Sequence, residues 1–129
     1  MNRRTYMTTY LAGAASAMVL GKPSARPIQL QVDLSVDPHR EEEMLRIFHG
    51  EFRPAASKQP GFRDLQMLKL RSALSGSAPA GANYRFVLTF DSEDLRQKWV
   101  ATKVHQELWP KMERTLRSND YTVLLYDTA

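Results

Sequence analysis

The sequence predicts a single α+β domain in which four antiparallel strands and two helices follow in the order βαββαβ, both helices lying on one face of the sheet. Three observations predict it. Pro27 to Val36 alternates strictly, with Ile28, Leu30, Val32, Leu34 and Val36 on one face and Gln29, Gln31, Asp33 and Ser35 on the other, as a half-buried strand does. Asn83 to Phe90 repeats the pattern, with Tyr84, Phe86, Leu88 and Phe90 opposite Arg85, Val87 and Thr89. Between Phe90 and His105 a strand end runs into a helix whose Leu95, Trp99 and Thr102 recur at steps of four and three and so share one face. His105 is a further step of three along, which places it at the edge of that stripe, where a cavity mouth could lie.

A chain of 129 residues is long enough for one real core and too short for two. It contains no cysteine, so disulfides and thiolate metal sites are excluded, and His39, His49 and His105 are too dispersed to form a ligand pair. No metal site is expected. The net charge of +4 has the look of a nucleic-acid partner, but Arg3, Arg4 and Lys22 contribute three of those charges with no acid among residues 1–25. The remainder carries +1 and has no phosphate-binding excess.

Taken in order, residues 1–25 read as an export signal that is removed, leaving 26–129 as the folded domain. A basic start, MNRRTYMTTY, precedes the apolar run LAGAASAMVLG and the turn-prone KPSA. Arg3-Arg4 before Thr5, Tyr6 and Met7 resembles a twin-arginine signal, so the protein is expected in the periplasm or outside the cell. The run falls short of the roughly 20 apolar residues of a membrane span. A loosely docked N-terminal helix is the alternative reading.

After the first strand, Asp37-Pro38 supplies a cap and a proline at the first helical position, and Glu41, Glu42 and Glu43 suit the positive end of the helix dipole. Met44, Leu45, Phe48 and Phe52 give this helix its apolar stripe, and Pro54 is expected to kink or end it before an Ala55-Ala56-Ser57 turn. His49 lies beside the stripe as a boundary residue. Gln59-Pro60-Gly61-Phe62 reads as a type II turn. A second strand follows from about Phe62 to Ala73, with Leu65 and Met67 opposite Leu68 and Leu70, and Ser75 to Gly81 forms the hairpin connection to the third strand. Beyond His105, Leu108, Trp109, Met112 and Leu116 continue an apolar stripe, with a helix break expected near Gln106 ahead of Pro110. Ser118-Asn119-Asp120 ends it, and Tyr121 to Tyr126 is the last strand. This is the split βαβ order of ferredoxin-like domains. The helix-free sheet face would be driven to pair with a second copy, so a homodimer is expected.

Phe90-x-Ser92, Leu95 and Trp99-x-x-Thr102-x-x-His105, with Gln59-Pro60-Gly61-Phe62, resemble the antibiotic biosynthesis monooxygenase family of the dimeric α+β barrel superfamily. The resemblance spans about residues 27 to 128. It implies two copies joining their sheets into a barrel, each with a cavity between sheet and helices. That family includes cofactor-free oxygenases of quinols and polycyclic phenols as well as haem-degrading enzymes. The haem-degrading relatives carry a tryptophan where this chain has Phe90 and an asparagine in the first strand, where residues 27–36 have none, so haem chemistry is disfavoured. In the cofactor-free branch the deprotonated substrate supplies the electrons, so the protein needs a dry cavity, a base and a polar group to hold the phenolate. His105 is the best base by intrinsic pKa and Asp33 a second; Arg85, Tyr84 or Tyr126 would orient oxygen atoms, with Trp99 and Phe90 as aromatic walls.

Packing alone also accounts for several of these residues. Trp99 and Trp109 have the spacing of core side chains, His105 suits a helix end, and Arg85 suits an ion pair across the sheet. An RNA-binding reading of Tyr84 to Phe90 fails because the glycine beside the first aromatic is absent, the first strand has no aromatic, and the domain is nearly neutral. Two classes remain: an oxygenase acting on a small aromatic molecule, and a non-catalytic dimeric binding or accessory protein of the same fold. An enclosed pocket where His105 or Asp33 meets an aromatic wall favours the first; a cavity filled by Trp99, Met67 and Phe86 favours the second.

Overall fold

The computed structural model describes residues 26–79 and 81–129; the expected export signal lies outside them. The alternating segments form β1 (Ile28–Leu34), β2 (Phe62–Lys69), β3 (Tyr84–Phe90) and β4 (Thr122–Asp127). They make one antiparallel sheet in the order β2-β3-β1-β4. In the registers Leu30↔Leu88 and Val32↔Phe86, even-numbered apolar residues of the two central strands stand side by side. They are buried, apart from half-buried Leu30, beneath the helices. Asp33↔Arg85 and Gln31↔Val87 stand on the opposite face. No helix among the described residues covers that face, and Leu68, Val87, Leu124 and Tyr126 project from it.

The strands are shorter than the alternation suggests. β1 ends at Leu34, and the side-chain amide of Asn83 takes the place of a partner strand at Val36, accepting from its N–H at 2.8 Å and donating to its carbonyl at 2.9 Å. β2 stops at Lys69 rather than Ala73, because beyond the Leu70 N–H bond to the Asn83 carbonyl β3 offers no further partners. The small-residue connection then begins.

The helical layer differs from expectation in two places. A 3₁₀ turn at Pro38–Arg40, capped by Asp37 accepting from the His39 N–H at 2.9 Å, leads into α1 (Glu41–Ile47). Pro54 does not end this helix. A π turn at Phe48–Phe52 carries α1 into α2 (Arg53–Ser57), so Ala55, Ala56 and Ser57 are helical. The Arg53 N–H reaches back five residues to the Phe48 carbonyl, and this widened turn displaces the bonding ladder where proline lacks a donor.

The second difference concerns the helix break, which falls at Ala101–Thr102 and not near Gln106, separating α3 (Glu93–Val100) from α4 (Lys103–Glu113). Thr102 is extended, with φ −69° and ψ 151°. Its hydroxyl accepts from the His105 N–H at 3.2 Å and donates to the Trp99 carbonyl at 2.7 Å. Thr102 is therefore a cap rather than part of the apolar stripe, and Pro110 is accommodated within α4. Ser92 caps α3, accepting from the Leu95 N–H at 3.3 Å. Phe48, Phe52, Phe86, Phe90 and Trp99 fill the core between the layers.

Candidate functional site

Elements on both sides of the α3–α4 break enclose a cavity of about 150 Å³ between the sheet and the helices. Phe52, Phe86, Trp99 and Trp109 form its aromatic walls, Leu30 and Val32 its sheet side, and Arg96 and His105 contribute its nitrogen-bearing side chains with titratable charge. Each wall has a local cause. The π turn brings Phe52 within 5.6 Å of the Trp99 ring and 5.7 Å of the Trp109 ring, measured between centroids. The Thr102 cap starts α4 so that His105 stands in its first turn, edge-on to Trp99 at 5.0 Å and stacked on Trp109 at 6.3 Å with 12° between planes. The imidazole is thus fixed between two indoles.

The electrostatics follow from this packing. Burial, reinforced by the positive charge of Arg96, lowers the His105 pKa to about 4. At neutral pH the ring is uncharged, a hydrogen-bonding group rather than a cation. This value lies well below the intrinsic 6.5 on which its expected role as a base rested. Arg96 is held by Glu93, whose carboxylate oxygens accept from Nε at 2.6 Å and Nη2 at 2.7 Å. That bidentate contact lowers the Glu93 pKa and raises that of Arg96 against the opposing effect of desolvation. At the cavity's rim the Tyr121 hydroxyl accepts from Trp109 Nε1 at 3.0 Å and donates to Glu113 at 2.7 Å. Burial and the Glu113 carboxylate raise the Tyr121 pKa.

The residues singled out from sequence separate into different places. His105 and Trp99 meet in the cavity. Asp33 lies across the sheet on the helix-free face, 8% exposed, where its carboxylate accepts from Arg85 Nε at 2.8 Å. Arg85 is therefore the ion-pair residue that packing alone allowed. Asp33, Tyr84 and Arg85 border a larger cleft of about 400 Å³, formed between the connection after β2 and that face. Solvated residues such as Arg71, Ser75 and Ser77 line much of this cleft, which lacks aromatic walls apart from Tyr84. The Tyr84 hydroxyl donates to Glu41, and burial followed by this carboxylate pushes its pKa up to about 12. Phe90 is wholly buried against Phe62, and Tyr126 is half exposed on the helix-free face. Neither borders the His105 cavity.

Sequence reasoning missed Phe52, Arg96, Trp109 and Tyr121 as cavity residues. Trp109 is four beyond His105 on α4, so helical spacing carried a signal for that one. Among the described residues, no group of three or more histidine, aspartate and glutamate side chains is placed to hold a metal ion. No helix among them is long and apolar enough to cross a membrane.

A four-stranded antiparallel sheet with one helical layer and a cavity between them defines an α+β domain of ferredoxin-like fold. Solved structures share it, among them several named as antibiotic biosynthesis monooxygenases, as the sequence resemblance implied. One provisionally so named, from Caulobacter crescentus, is 17% identical, with a TM-score of 0.65 over 81% of this chain and 92% of its own. A variant of SnoaB, described as a cofactor-independent oxygenase from Streptomyces nogalater, is 13% identical with a TM-score of 0.65 over 81% and 94%. A conserved protein from Methanosarcina mazei is 12% identical with the same TM-score over 81% and 95%. At these identities the likeness is one of fold. No protein-family model and no curated protein sequence matches the chain.

Proposed function

We propose that this chain acts as an exported homodimer that oxygenates a small phenolic or quinol-type molecule in the His105 cavity, with the substrate as the source of electrons. The observation that carries this reading is a neutral imidazole fixed between two indole rings inside an open, aromatic-walled cavity. The fold shared with a cofactor-independent oxygenase supports it. Pairing is supported by the apolar residues of the helix-free face, and export by Arg3-Arg4 and the run after it.

The chemistry begins with loss of a proton to give an electron-rich anion, which dioxygen can oxidise. A phenol with a free para position, taken as its keto tautomer, has a ring methylene. Dioxygen converts that methylene to a carbonyl, one oxygen atom entering the ring and the other leaving as water with both methylene hydrogens. All four electrons come from the substrate. His105 contributes a hydrogen bond to the substrate oxygen and a site for its proton, and the aromatic walls shield part of the anion from water. An ordinary phenol titrates near about 10, so transfer to an imidazole at about 4 is uphill by roughly six units unless the anion is stabilised.

Oxygen uptake by metal-free protein, measured with a panel of phenols and quinols, tests the proposal. The expected result with a phenol whose para position is free is one dioxygen consumed per quinone formed, with one atom of that dioxygen in the quinone and no hydrogen peroxide released. Tight binding of the same compounds with no uptake would instead establish the binding or accessory reading.

A further inference from the structure

The cavity contains a cationic fork that sequence reading did not single out. Arg96 lines it with a side chain only 17% exposed, and Glu93 engages Nε and Nη2 on one side of the guanidinium. Nη1 and the second hydrogen of Nη2 have no hydrogen-bond partner among the described residues. A guanidinium has donors only, so a phenol O–H facing it has no use for its proton, whereas a phenolate oxygen accepts two charge-assisted bonds. The Glu93 carboxylate orients the fork without occupying those donors. The charged and titratable groups around the site are Glu93 and Arg96 on α3, His105 and Glu113 on α4, and Tyr121 before β4. Glu113 is engaged by Tyr121, and Arg96 is the cation lining the cavity.

Size narrows the ligand. A cavity of about 150 Å³ lined by apolar side chains is known to hold benzene. This one has the same volume, with aromatic walls. One ring fits within it, whereas three fused rings would have to project from its mouth.

We infer that the cavity binds a single-ring phenol as its phenolate, with the free donors of Arg96 holding the phenolate oxygen and His105 completing its hydrogen bonding. This rests on the proposed function for its biological meaning, but the binding chemistry stands or falls by itself. Arg96 lowers the pKa of the bound phenol and so offsets part of the weak basicity of His105.

4-Nitrophenol, a single-ring phenol that dioxygen does not oxidise and whose phenolate has its own absorbance band, is the probe. Titrating it with excess wild-type protein across pH should give a bound pKa about one unit or more below that of the free compound, equivalent to about ten-fold preference for the phenolate. Arg96→Gln should abolish the shift, and Arg96→Lys, which keeps charge without the fork, should retain part of it. Tricyclic 2-hydroxyanthraquinone, whose hydroxyl is not bonded to a ring carbonyl, should bind at least about ten-fold more weakly than 4-nitrophenol. An unshifted or raised bound pKa in the wild type would overturn the inference, because the site would then select a neutral phenol donating to His105. Equal or tighter binding of the tricyclic compound would overturn the single-ring limit. A lowered pKa in protein that consumes no oxygen with any quinol would refute the oxygenase reading alone. An unshifted pKa in protein that does consume oxygen would refute the role of Arg96 alone.

Discussion

His105 shows how one side chain's surroundings redefine its chemistry. Its intrinsic pKa suggests a base poised near neutrality, yet burial among Phe52, Trp99 and Trp109, with Arg96 nearby, favours the uncharged ring down to about pH 4. The unfolded chain protonates this histidine near 6.5, above the native value, so acid favours the unfolded state. The contribution is fully present above about pH 6.5 and is lost as pH falls through about 4. Denaturant midpoints measured across that window should decline in the wild type and decline less in His105→Gln. Of the residues at this scale, His105 and Trp99 were legible as neighbours, but the cause is the Thr102 cap between α3 and α4, which brings their rings to 5.0 Å, and not one continuous helical stripe. Arg96 was not, since an arginine three residues after a glutamate looks the same in sequence whether solvated or turned into a cavity.

Elements were legible where a local signal dominates. Gln59-Pro60-Gly61-Phe62 is a turn closed by the Phe62 N–H to the Gln59 carbonyl at 3.1 Å, with Gly61 at φ +87°. A Cβ there would also lie 2.5 Å from Leu95 Cδ1 and 3.0 Å from Leu95 Cβ, so the turn and α3 are packed too closely for any side chain. Gly61→Ala should cost about 2–4 kcal/mol, combining the left-handed backbone penalty with displacement of Leu95, as read from chemical denaturation. Elements were misread where two signals competed. Pro54 is a strong helix breaker in isolation, but the π turn before it lets the helix continue and carries Phe52 into the cavity wall. The step of three from Trp99 to Thr102 continued the helical stripe on paper, whereas the threonine hydroxyl serves better as a cap.

For the molecule as a whole, the alternating strands already specified the antiparallel sheet with its two unlike faces. The pleat of the sheet also divides the proposed site residues, because one residue's step along β1 or β3 moves a side chain to the other face. That is why Asp33 and His105 cannot serve one substrate within a single copy. The helix-free face, with Leu68, Leu124 and Tyr126 between 43% and 46% exposed, is where pairing is expected. Light scattering of the wild type should give twice the chain mass, and Leu124→Asp should shift it to one chain mass by placing a charge in the apolar contact.

The oxygen-uptake rate of His105→Gln beside that of Asp33→Asn tests the central claim most directly. If chemistry occurs in the cavity between the sheet and helices, the histidine substitution should slow uptake by about 10²- to 10⁴-fold, the usual value of one positioned proton acceptor. Asp33→Asn, which keeps the shape of the Arg85 partner on the other face, should leave the rate within a few-fold of wild type. An undiminished rate in His105→Gln together with a collapse in Asp33→Asn would contradict the account and move the active site to the helix-free face.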